Sequence, residues 1–395
     1  MLACAAFALG GCLGGEERST GIEGGTVKVY SSMPRSGVSA AAARAAAAGQ
    51  RLALADAGGQ AGGLEVELVE LDSAEPGERL WDPDLVSENA EQAADDPRAI
   101  AYVGELDYGG SAVSVPITND ADLLQVSPAD GLTSLTRTPL GRPRAGPERY
   151  YPTGRRSFMR LVPADELQAE VLLARAREDG ARRMAVLFDS DIYARELGGV
   201  LLALGRRDGP VPVGSEEYRG RVDEIPDIVR QLAEQRPDAV LYAGIANPGS
   251  GRLLAQMDRA LPGVPVYASA GMLARDPAAP IPVAPSRVTA LGSIHPAREL
   301  PPPGRRLLAR LRRSVGPEAA RPEALYGYEA MRLVLDAIRS GGPDRARVRA
   351  AALRIRQRHS PLGTYRVRAT GEVEHARFAL WALRDGGFEF ERMVE

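Results

Sequence analysis

The order of residue types along the chain constrains its fold more than any other feature. From Thr26 onward, short runs of aliphatic and β-branched residues alternate with longer stretches rich in alanine and leucine. This alternation is typical of β-α-β units, in which helices cover a largely parallel sheet. Residues 27–31 predict the first strand, and residues 38–57 predict a helix because alanine has the highest helix propensity. The sequence therefore predicts an α/β fold.

The alternation occurs as two series, which predicts two lobes. The first series ends near residue 130, and the second runs over residues 158–268, with further strands predicted at 288–294, 363–368 and 378–384. A chain of 395 residues also exceeds the ~100–200 residues of a typical domain. We expect two Rossmann-like lobes with parallel sheets. Because ligands of such sheets bind at the carboxyl ends of the strands, the predicted binding site is a cleft between the lobes.

The segment between the two series has a different composition. Residues 132–157 are rich in proline, glycine and arginine, which favours neither a helix nor a strand. The segment is also much longer than the roughly 4–6 residues of most connections. Two interpretations stay open. The segment is either a disordered surface insertion or an ordered flap in which Tyr150 and Tyr151 supply aromatic surface.

The start of the chain predicts export. Residues 1–12 are mainly apolar and end in Leu9-Gly10-Gly11-Cys12, and small residues before a cysteine are typical of the lipobox of bacterial lipoproteins. We expect a signal peptide with a truncated start, because no Lys or Arg precedes Arg18, then lipidation of Cys12 and a flexible tether over residues 13–25. This predicts a lipid-anchored protein at the outer face of the cytoplasmic membrane, periplasmic or at the cell surface. The alternative is a buried amino-terminal helix with a lone cysteine.

Composition argues against several kinds of site. Both cysteines, Cys4 and Cys12, precede the predicted folded region, which excludes disulfides and thiolate metal sites from that region. The three histidines are His295, His359 and His375, and they lack the close spacing of a metal site. We therefore expect no metal and no cofactor. With 49 basic and 52 acidic residues, the chain lacks the positive charge of a nucleic-acid-binding protein. Beyond the leader no run approaches the ~20 apolar residues of a membrane span, so we expect membrane contact through the lipid anchor only.

The motifs of common enzymes are missing from the sequence. It has no G-x-S-x-G elbow, no G-x-G-x-x-G after a predicted strand and no P-loop. Ser111 and Ser250 lie beside glycines, but no histidine falls at a predictable partner position. We therefore expect no enzyme and no catalytic residue. A secreted hydrolase stays open as an alternative, because 52 acidic residues form carboxylate pairs by chance.

An ordered set of segments carries a family resemblance. A predicted helix is followed by Gly58-Gly59-Gln60-Ala61-Gly62-Gly63, a predicted strand and Asp72, and this pattern resembles the glycine turn, strand and aspartate of the type I periplasmic binding proteins. The most similar group is the leucine/isoleucine/valine-binding receptors of ABC transporters. Further matching segments follow in the order of the family and are Tyr102-Val103-Gly104, Val126-Ser127-Pro128, Phe158-Met159-Arg160, Leu187-Phe188-Asp189 with Tyr193, residues 239–244 and residues 325–330.

The resemblance implies a mechanism and partners. It implies a solute-binding lipoprotein of an ABC importer, which closes about a hinge around a small polar or amphipathic ligand, amino-acid-like, amide or related, and delivers it to a permease. Three crossovers near Arg160, 291–294 and 361–363 would make both lobes discontinuous. We expect a monomer with lobe 1 formed by residues 26–160 and 295–360 and lobe 2 by residues 161–294 and 361–395. A ligand-sensing lipoprotein of the same fold without transport stays open.

The resemblance also implies a set of ligand-binding residues. Amino-acid receptors of the family hold the ligand carboxylate with hydroxyls and backbone amides just after the segments that match Gly104 and Pro128. They hold the ammonium group with a Glu where this chain has Ala270. Asp107 or Asp130 is the candidate substitute for that Glu, and the alternative is that both are surface or capping residues. The predicted ligand-binding residues are Tyr108, Gly109, Ser111, Ala129, Asp130, Tyr193, Asn247 and Ala270.

Overall fold

The structure, a computed structural model, describes residues 20–37, 39–75, 81–106, 108–247, 249–274, 287–374 and 377–395. The strands in chain order are β1 (Thr26–Met33), β2 (Gln60–Ala61), β3 (Leu64–Asp72), β4 (Ala99–Val103), β5 (Leu124–Ser127), β6 (Phe158–Arg160), β7 (Arg183–Asp189), β8 (Val211–Tyr218), β9 (Ala239–Ala243), β10 (Val266–Ala268), β11 (Val288–Gly292), β12 (Gln357–Ser360), β13 (Gly363–Arg366), β14 (Phe378–Arg384) and β15 (Gly387–Val394). The helices are α1 (Ala40–Asp56), α2 (Pro83–Asp95), α3 (Ser111–Asp120), α4 (Asp165–Glu178), α5 (Ile192–Asp208), α6 (Ile225–Glu234), α7 (Ser250–Ala260), α8 (Pro302–Ser314), α9 (Glu323–Gly341) and α10 (Arg345–Leu353).

Local sequence explains where several helices begin and end. Asp82 precedes α2, and its carboxylate accepts hydrogen bonds from the N–H groups of Asp84 and Leu85, which satisfies two donors at the helix start. Gly58 follows α1 with a φ of 68°, a conformation that glycine adopts more readily than other residues. None of the helices in the described ranges combines the length and the apolar character that a membrane crossing needs.

The first sheet has the strand order β2-β3-β1-β4-β5-β6. The pairs from β3 to β6 are parallel, and β2 forms an antiparallel edge with β3. One apolar cluster packs α1, α9 and α10 against one face, and a second cluster, which includes Ala90 and Ala93 of α2, covers the other face. Helices α1 and α9 approach so closely that a Cβ on Gly327 would overlap the carbonyl of Ala46. Small residues at this contact are therefore required by its geometry.

The second sheet has the strand order β15-β14-β11-β10-β9-β7-β8. The pairs among β7 to β11 are parallel, whereas β14 and β15 pair antiparallel at one edge. Helices α4 and α5 pack on one face and α6 and α7 on the other. The chain passes between the two sheets three times: after β6, after β11 and between β13 and β14. The predicted α/β class with largely parallel sheets and two lobes is confirmed.

Several details differ from the sequence predictions. Helix α10 and strands β12 and β15 were not predicted. The third passage lies later than residues 361–363, because Val367 still packs in the core of the first sheet and Phe378 in that of the second. The end of the predicted tether is packed, since Ile22 is buried and its N–H donates to the carbonyl of Pro343 at 2.7 Å.

The segment 132–157 is ordered in the structure. Tyr150 and Tyr151 are 3% and 5% exposed, and each ring lies under an arginine side chain. The segment leaves the first sheet at β5 and contacts helices of the second sheet, where the N–H of Ser134 donates to Glu196 at 3.0 Å and the Arg142 guanidinium donates to the carbonyl of Arg195 at 2.9 Å. The segment is therefore not a disordered insertion. None of its residues is among the described residues that line the cavity between the two sheets.

Candidate functional site

A cavity of about 620 Å³ lies at the carboxyl ends of strands from both sheets. Leu106 and Tyr108 reach it from the loop after β4, Ala129 from the loop after β5 and Ala270 from the segment after β10. The amino-terminal end of α1 and the passage after β11 complete the wall. We call this cavity the cleft. The topology places it there because parallel strands end at the same edge of each sheet.

Tyr108 connects the two sides of the cleft. Its hydroxyl donates a hydrogen bond to the carbonyl of Ala270 at 3.2 Å, and its ring centroid lies 5.2 Å from that of Tyr193. Tyr108 has a φ of 47°, which is uncommon for a residue other than glycine. Tyr193 is 1% exposed and lies behind Tyr108 instead of lining the cleft. Of the eight predicted ligand-binding residues, three line the cleft: Tyr108, Ala129 and Ala270.

Asp130 uses the backbone amides that the sequence suggested for an anionic ligand. Its fully buried carboxylate accepts hydrogen bonds from the N–H groups of Gly109 at 3.2 Å, Ser111 at 3.0 Å and Leu132 at 3.1 Å. The N–H groups of Ala129 and Asp130 donate in turn to the Ser127 hydroxyl, at 3.2 and 2.8 Å. The amides predicted to bind an anion are therefore engaged within the chain.

Ser111 and Asn247 are held by their own loops. The Ser111 hydroxyl accepts a hydrogen bond from the N–H of Glu105 at 3.1 Å. The Asn247 side-chain oxygen accepts from the N–H groups of Gly249 and Ser250 at the start of α7, at 2.9 and 3.1 Å. Neither residue lines the cleft.

A buried polar network lies next to Ala270 and was not predicted. The Gln168 side-chain oxygen accepts from the N–H of Ala270 at 2.6 Å, and its amide nitrogen donates to Asp165 at 3.1 Å and to the Tyr193 hydroxyl at 3.4 Å. Burial, with a smaller contribution from the charge of Asp130, raises the pKa of Asp165 well above its usual value. In the sequence, Asp165 resembled an ordinary acidic residue at the start of a helix.

A second buried carboxyl lies behind the first sheet's side of the cleft. Glu105 is 2% exposed and accepts hydrogen bonds from the hydroxyls of Tyr102 at 2.7 Å and Ser32 at 2.8 Å. Burial raises the pKa of Glu105 to about 8. Sequence reasoning missed this residue because a single Glu after a strand gives no sign of burial.

The far end of the cleft combines aromatic and charged side chains. Trp381 and Phe388 contribute aromatic surface. Arg321 pairs with Glu323 at 3.2 Å, and burial lowers the pKa of His295. None of these residues was predicted, because they come from the last third of the chain, where the family resemblance gave no site.

Several predictions lie outside the described residues. These include Cys12 with its signal peptide, Asp107 and His375. Within the described ranges, no group of three or more histidine, cysteine, aspartate or glutamate residues is placed to hold a metal ion.

Comparisons with known proteins agree with this architecture. Residues 26–386 match the model of a family described as periplasmic binding protein. The leucine-binding protein LivK from Thermotoga maritima is 20% identical, with a TM-score of 0.73 over 93% of this chain and 98% of that chain. LivJ from Streptococcus pneumoniae, solved with isoleucine, is 16% identical, with a TM-score of 0.72 over 93% and 99%. A solute-binding protein from R. palustris, solved with benzoate, is 18% identical, with a TM-score of 0.67 over 93% and 96%. At these identities the structures establish a shared fold, and no curated protein matches the chain.

Proposed function

The chain belongs to the periplasmic binding protein family, and we propose that it is the extracytoplasmic solute-binding lipoprotein of an ABC importer. In this proposal it encloses a small polar or amphipathic ligand in the cleft. The observation that carries the proposal is a cavity of about 620 Å³ at the facing carboxyl ends of strands from two sheets. This volume falls within the ~300–1,000 Å³ of small-molecule sites. Solved members of the fold bind leucine-type amino acids or benzoates, which supports a small organic solute.

Hinge closure is the mechanism that we propose. The chain crosses between the sheets three times, so each lobe would consist of two separate stretches of sequence. One lobe would comprise residues 26–160 and 295–360, and the other residues 161–294 and 361–395. The third boundary is shifted from the predicted position to between Val367 and Phe378. The hydrogen bond from Tyr108 to Ala270 already connects the two sides. Ligand binding would favour the closed arrangement by adding contacts to both sides.

We propose direct ligand contacts for Tyr108, Ala129 and Ala270, because these residues line the cleft. The other predicted residues would act behind them by fixing the loops, as Asp130 does through its three backbone hydrogen bonds. We propose no catalytic residue, metal or cofactor.

The partners and location are part of the same proposal. Acylation of Cys12 would anchor a monomer at the outer face of the cytoplasmic membrane, where an ABC permease receives the solute. Mass spectrometry of the native protein tests this, with an acylated amino-terminal Cys12 as the expected result. Detection of an unmodified peptide that retains Met1 would overturn the anchor and leave the binding function open.

A thermal-shift screen of the mature protein tests solute binding. The panel comprises amino acids, amides, ureas and aromatic acids. A ligand present at about 100 times its dissociation constant adds about 2.7 kcal/mol of stability, so a true ligand raises Tm clearly. No shift with any member of the panel would count against the solute-receptor function.

A further inference from the structure

We infer that the cleft binds an apolar carboxylate without an ammonium group, and that Arg44 is the counter-ion of that carboxylate. This inference rests on the proposed function and narrows its ligand class. It follows from the charges that line the cleft, from the side chain that fills the loop amides and from the apolar walls.

Within the part of the chain that the structure describes, no free carboxylate lines the cleft to receive an ammonium group. Among the described residues, its charged or titratable wall groups besides Tyr108 are Arg44, His295, Arg321 and Glu323. The Glu323 carboxylate pairs with Arg321 at 3.2 Å through one oxygen, and its other oxygen is buried and has no hydrogen-bond partner, so a solute in the cleft does not reach it. An ammonium group in this cavity would lose its water without gaining a counter-charge, which is unfavourable by several kcal/mol in general. A cationic or zwitterionic solute is therefore disfavoured.

Among the described residues of the cleft wall, Arg44 is a charged group without a partner. It lies in the first turns of α1, lines the cleft and forms no hydrogen bond or ion pair with any residue in the described part of the chain. The guanidinium matches a carboxylate in charge and in the geometry of its donors. Its exposed position lets a solute pair with it without breaking an internal contact.

The loop amides next to Tyr108 are closed to a solute carboxylate. Three N–H groups, those of Gly109, Ser111 and Leu132, already donate to the buried carboxylate of Asp130. A second carboxylate there would find these three donors already engaged and would lie against a like charge. The solute carboxylate is therefore directed to the α1 side of the cleft, where residues 40–42 form the wall and the helix end carries partial positive charge.

The remaining wall favours an apolar body. Leu106, Ala129, Leu273 and Ile294 line the cleft, and so do the aromatic residues Trp381 and Phe388. Burial of apolar surface contributes roughly 25 cal/mol per Å² in general, which makes such a wall selective for a hydrocarbon or aromatic group. Among the described residues of the cleft, the combination of the unpaired Arg44 with apolar walls matches an amphipathic monoanion.

Isothermal titration calorimetry on the mature protein tests the charge class with matched probes. The probes share an aromatic body and differ in charge: benzoate, benzamide, benzylamine and phenylalanine, with hexanoate as an aliphatic carboxylate. We expect a carboxylate probe to bind most tightly, with weaker binding of benzamide and no detectable binding of benzylamine. The affinity for the carboxylate should fall as salt increases, because the contact is partly exposed.

A variant pair identifies the counter-ion. Arg44→Gln should weaken carboxylate binding about tenfold and leave benzamide binding unchanged, because only a charged hydrogen bond is lost. Arg312→Gln is the matched control, since Arg312 is an exposed arginine of α8 that does not line the cleft. Equal effects of the two variants would overturn the assignment of Arg44.

Two further outcomes separate this inference from the proposed function. Tighter binding of phenylalanine or benzylamine than of benzoate and hexanoate would overturn the inference while supporting a solute receptor. Failure of these probes and of every solute in the thermal-shift panel to bind would overturn both.

Discussion

At the residue scale, the buried carboxylate of Asp130 determines which backbone N–H groups near the cleft are available to a ligand. Its carboxylate accepts hydrogen bonds from three backbone N–H groups and so holds the loops after β4 and β5 together. These three N–H groups are then not available to a ligand. The sequence showed an aspartate after a strand, and the same pattern fits a capping residue or a ligand-binding residue. Only the spatial approach of residues 109–111 to residue 130 distinguishes these roles. That approach depends on the pairing of β4 with β5, which local sequence does not encode.

Glu105 gives the first prediction, a dependence of stability on pH. Its pKa is raised to about 8, chiefly by burial, whereas an unfolded Glu titrates near 4.3. Between these values the folded state keeps a proton that the unfolded state has released, so the free energy of unfolding falls as pH rises. The contribution is at most about 1.4 kcal/mol per pH unit.

Glu105→Gln should remove this contribution, because the amide does not titrate. Urea unfolding at several values between about pH 5 and about pH 8 should show a shallower loss of stability in the variant than in the wild type. Glu178→Gln, at an exposed position on α4, is the control and should keep the wild-type slope. Identical slopes for Glu105→Gln and the wild type would contradict the prediction.

At the scale of elements, the contact of α1 with α9 gives the second prediction. A Cβ on Gly327 would overlap the backbone carbonyl of Ala46, and backbone atoms cannot move aside locally. Gly327→Ala should therefore destabilise the protein by about 1–3 kcal/mol, although alanine favours a helix by about 1 kcal/mol. In the control, Gly199→Ala in α5, the new Cβ meets only the flexible side chain of Arg142 at 3.3 Å, so that variant should be neutral or more stable. Chemical unfolding measures both, and equal stability of the two variants would contradict the explanation.

The ion pair of Arg160 with Glu372 gives the third prediction. Arg160 ends β6 with no exposed side-chain surface and pairs at 2.7 Å with Glu372, which lies in the passage between β13 and β14. Thr136 of the segment 132–157 also donates to Glu372, so the pair joins three elements. Glu372→Gln should cost about 3–5 kcal/mol, because it leaves a buried guanidinium without a counter-charge.

The control for this pair is Glu391→Gln, at an exposed position on β15. It should change the free energy of unfolding by less than about 0.5 kcal/mol. A loss for Glu372→Gln no larger than that of Glu391→Gln in urea unfolding would show that the pair does not hold the three elements together.

The sequence predicted regular elements well and irregular ones poorly. Helix α1 and strand β14, predicted at residues 38–57 and 378–384, were predicted to within two residues, because their pattern is local. The antiparallel edge strand β15 was missed because its alternating charged residues carry little apolar signal. The order of the segment 132–157 depends on the burial of Tyr150 and Tyr151 against distant elements, which no local pattern reports. The same reason explains why Trp381 and Arg321 were absent from the predicted site.

At the scale of the whole molecule, two well-packed lobes are joined across the cleft by the hydrogen bond from Tyr108 to Ala270, which we call the bridge. Apolar clusters cover the faces of both sheets, and the segment 132–157 bonds to α5 beside the cleft. Across the cleft itself, the hydroxyl of Tyr108 donates one hydrogen bond to the carbonyl of Ala270. A connection of this size contributes about 0.5–1.5 kcal/mol. That is enough to shift an equilibrium between open and closed arrangements without affecting the fold of either lobe.

The last prediction concerns this bridge. Tyr108→Phe should weaken affinity for the solute identified by calorimetry about three- to tenfold, because the closed state loses one hydrogen bond. Tyr267→Phe is the control, since its hydroxyl donates to Asp179 at 2.7 Å within the second lobe and spans no cleft. Small-angle X-ray scattering should show ligand-induced compaction in the control and a smaller fraction of compact molecules for Tyr108→Phe at the same ligand concentration. If both variants lost affinity equally, the bridge would have no part in closure, and the hydrogen bond would only support the shape of the loop.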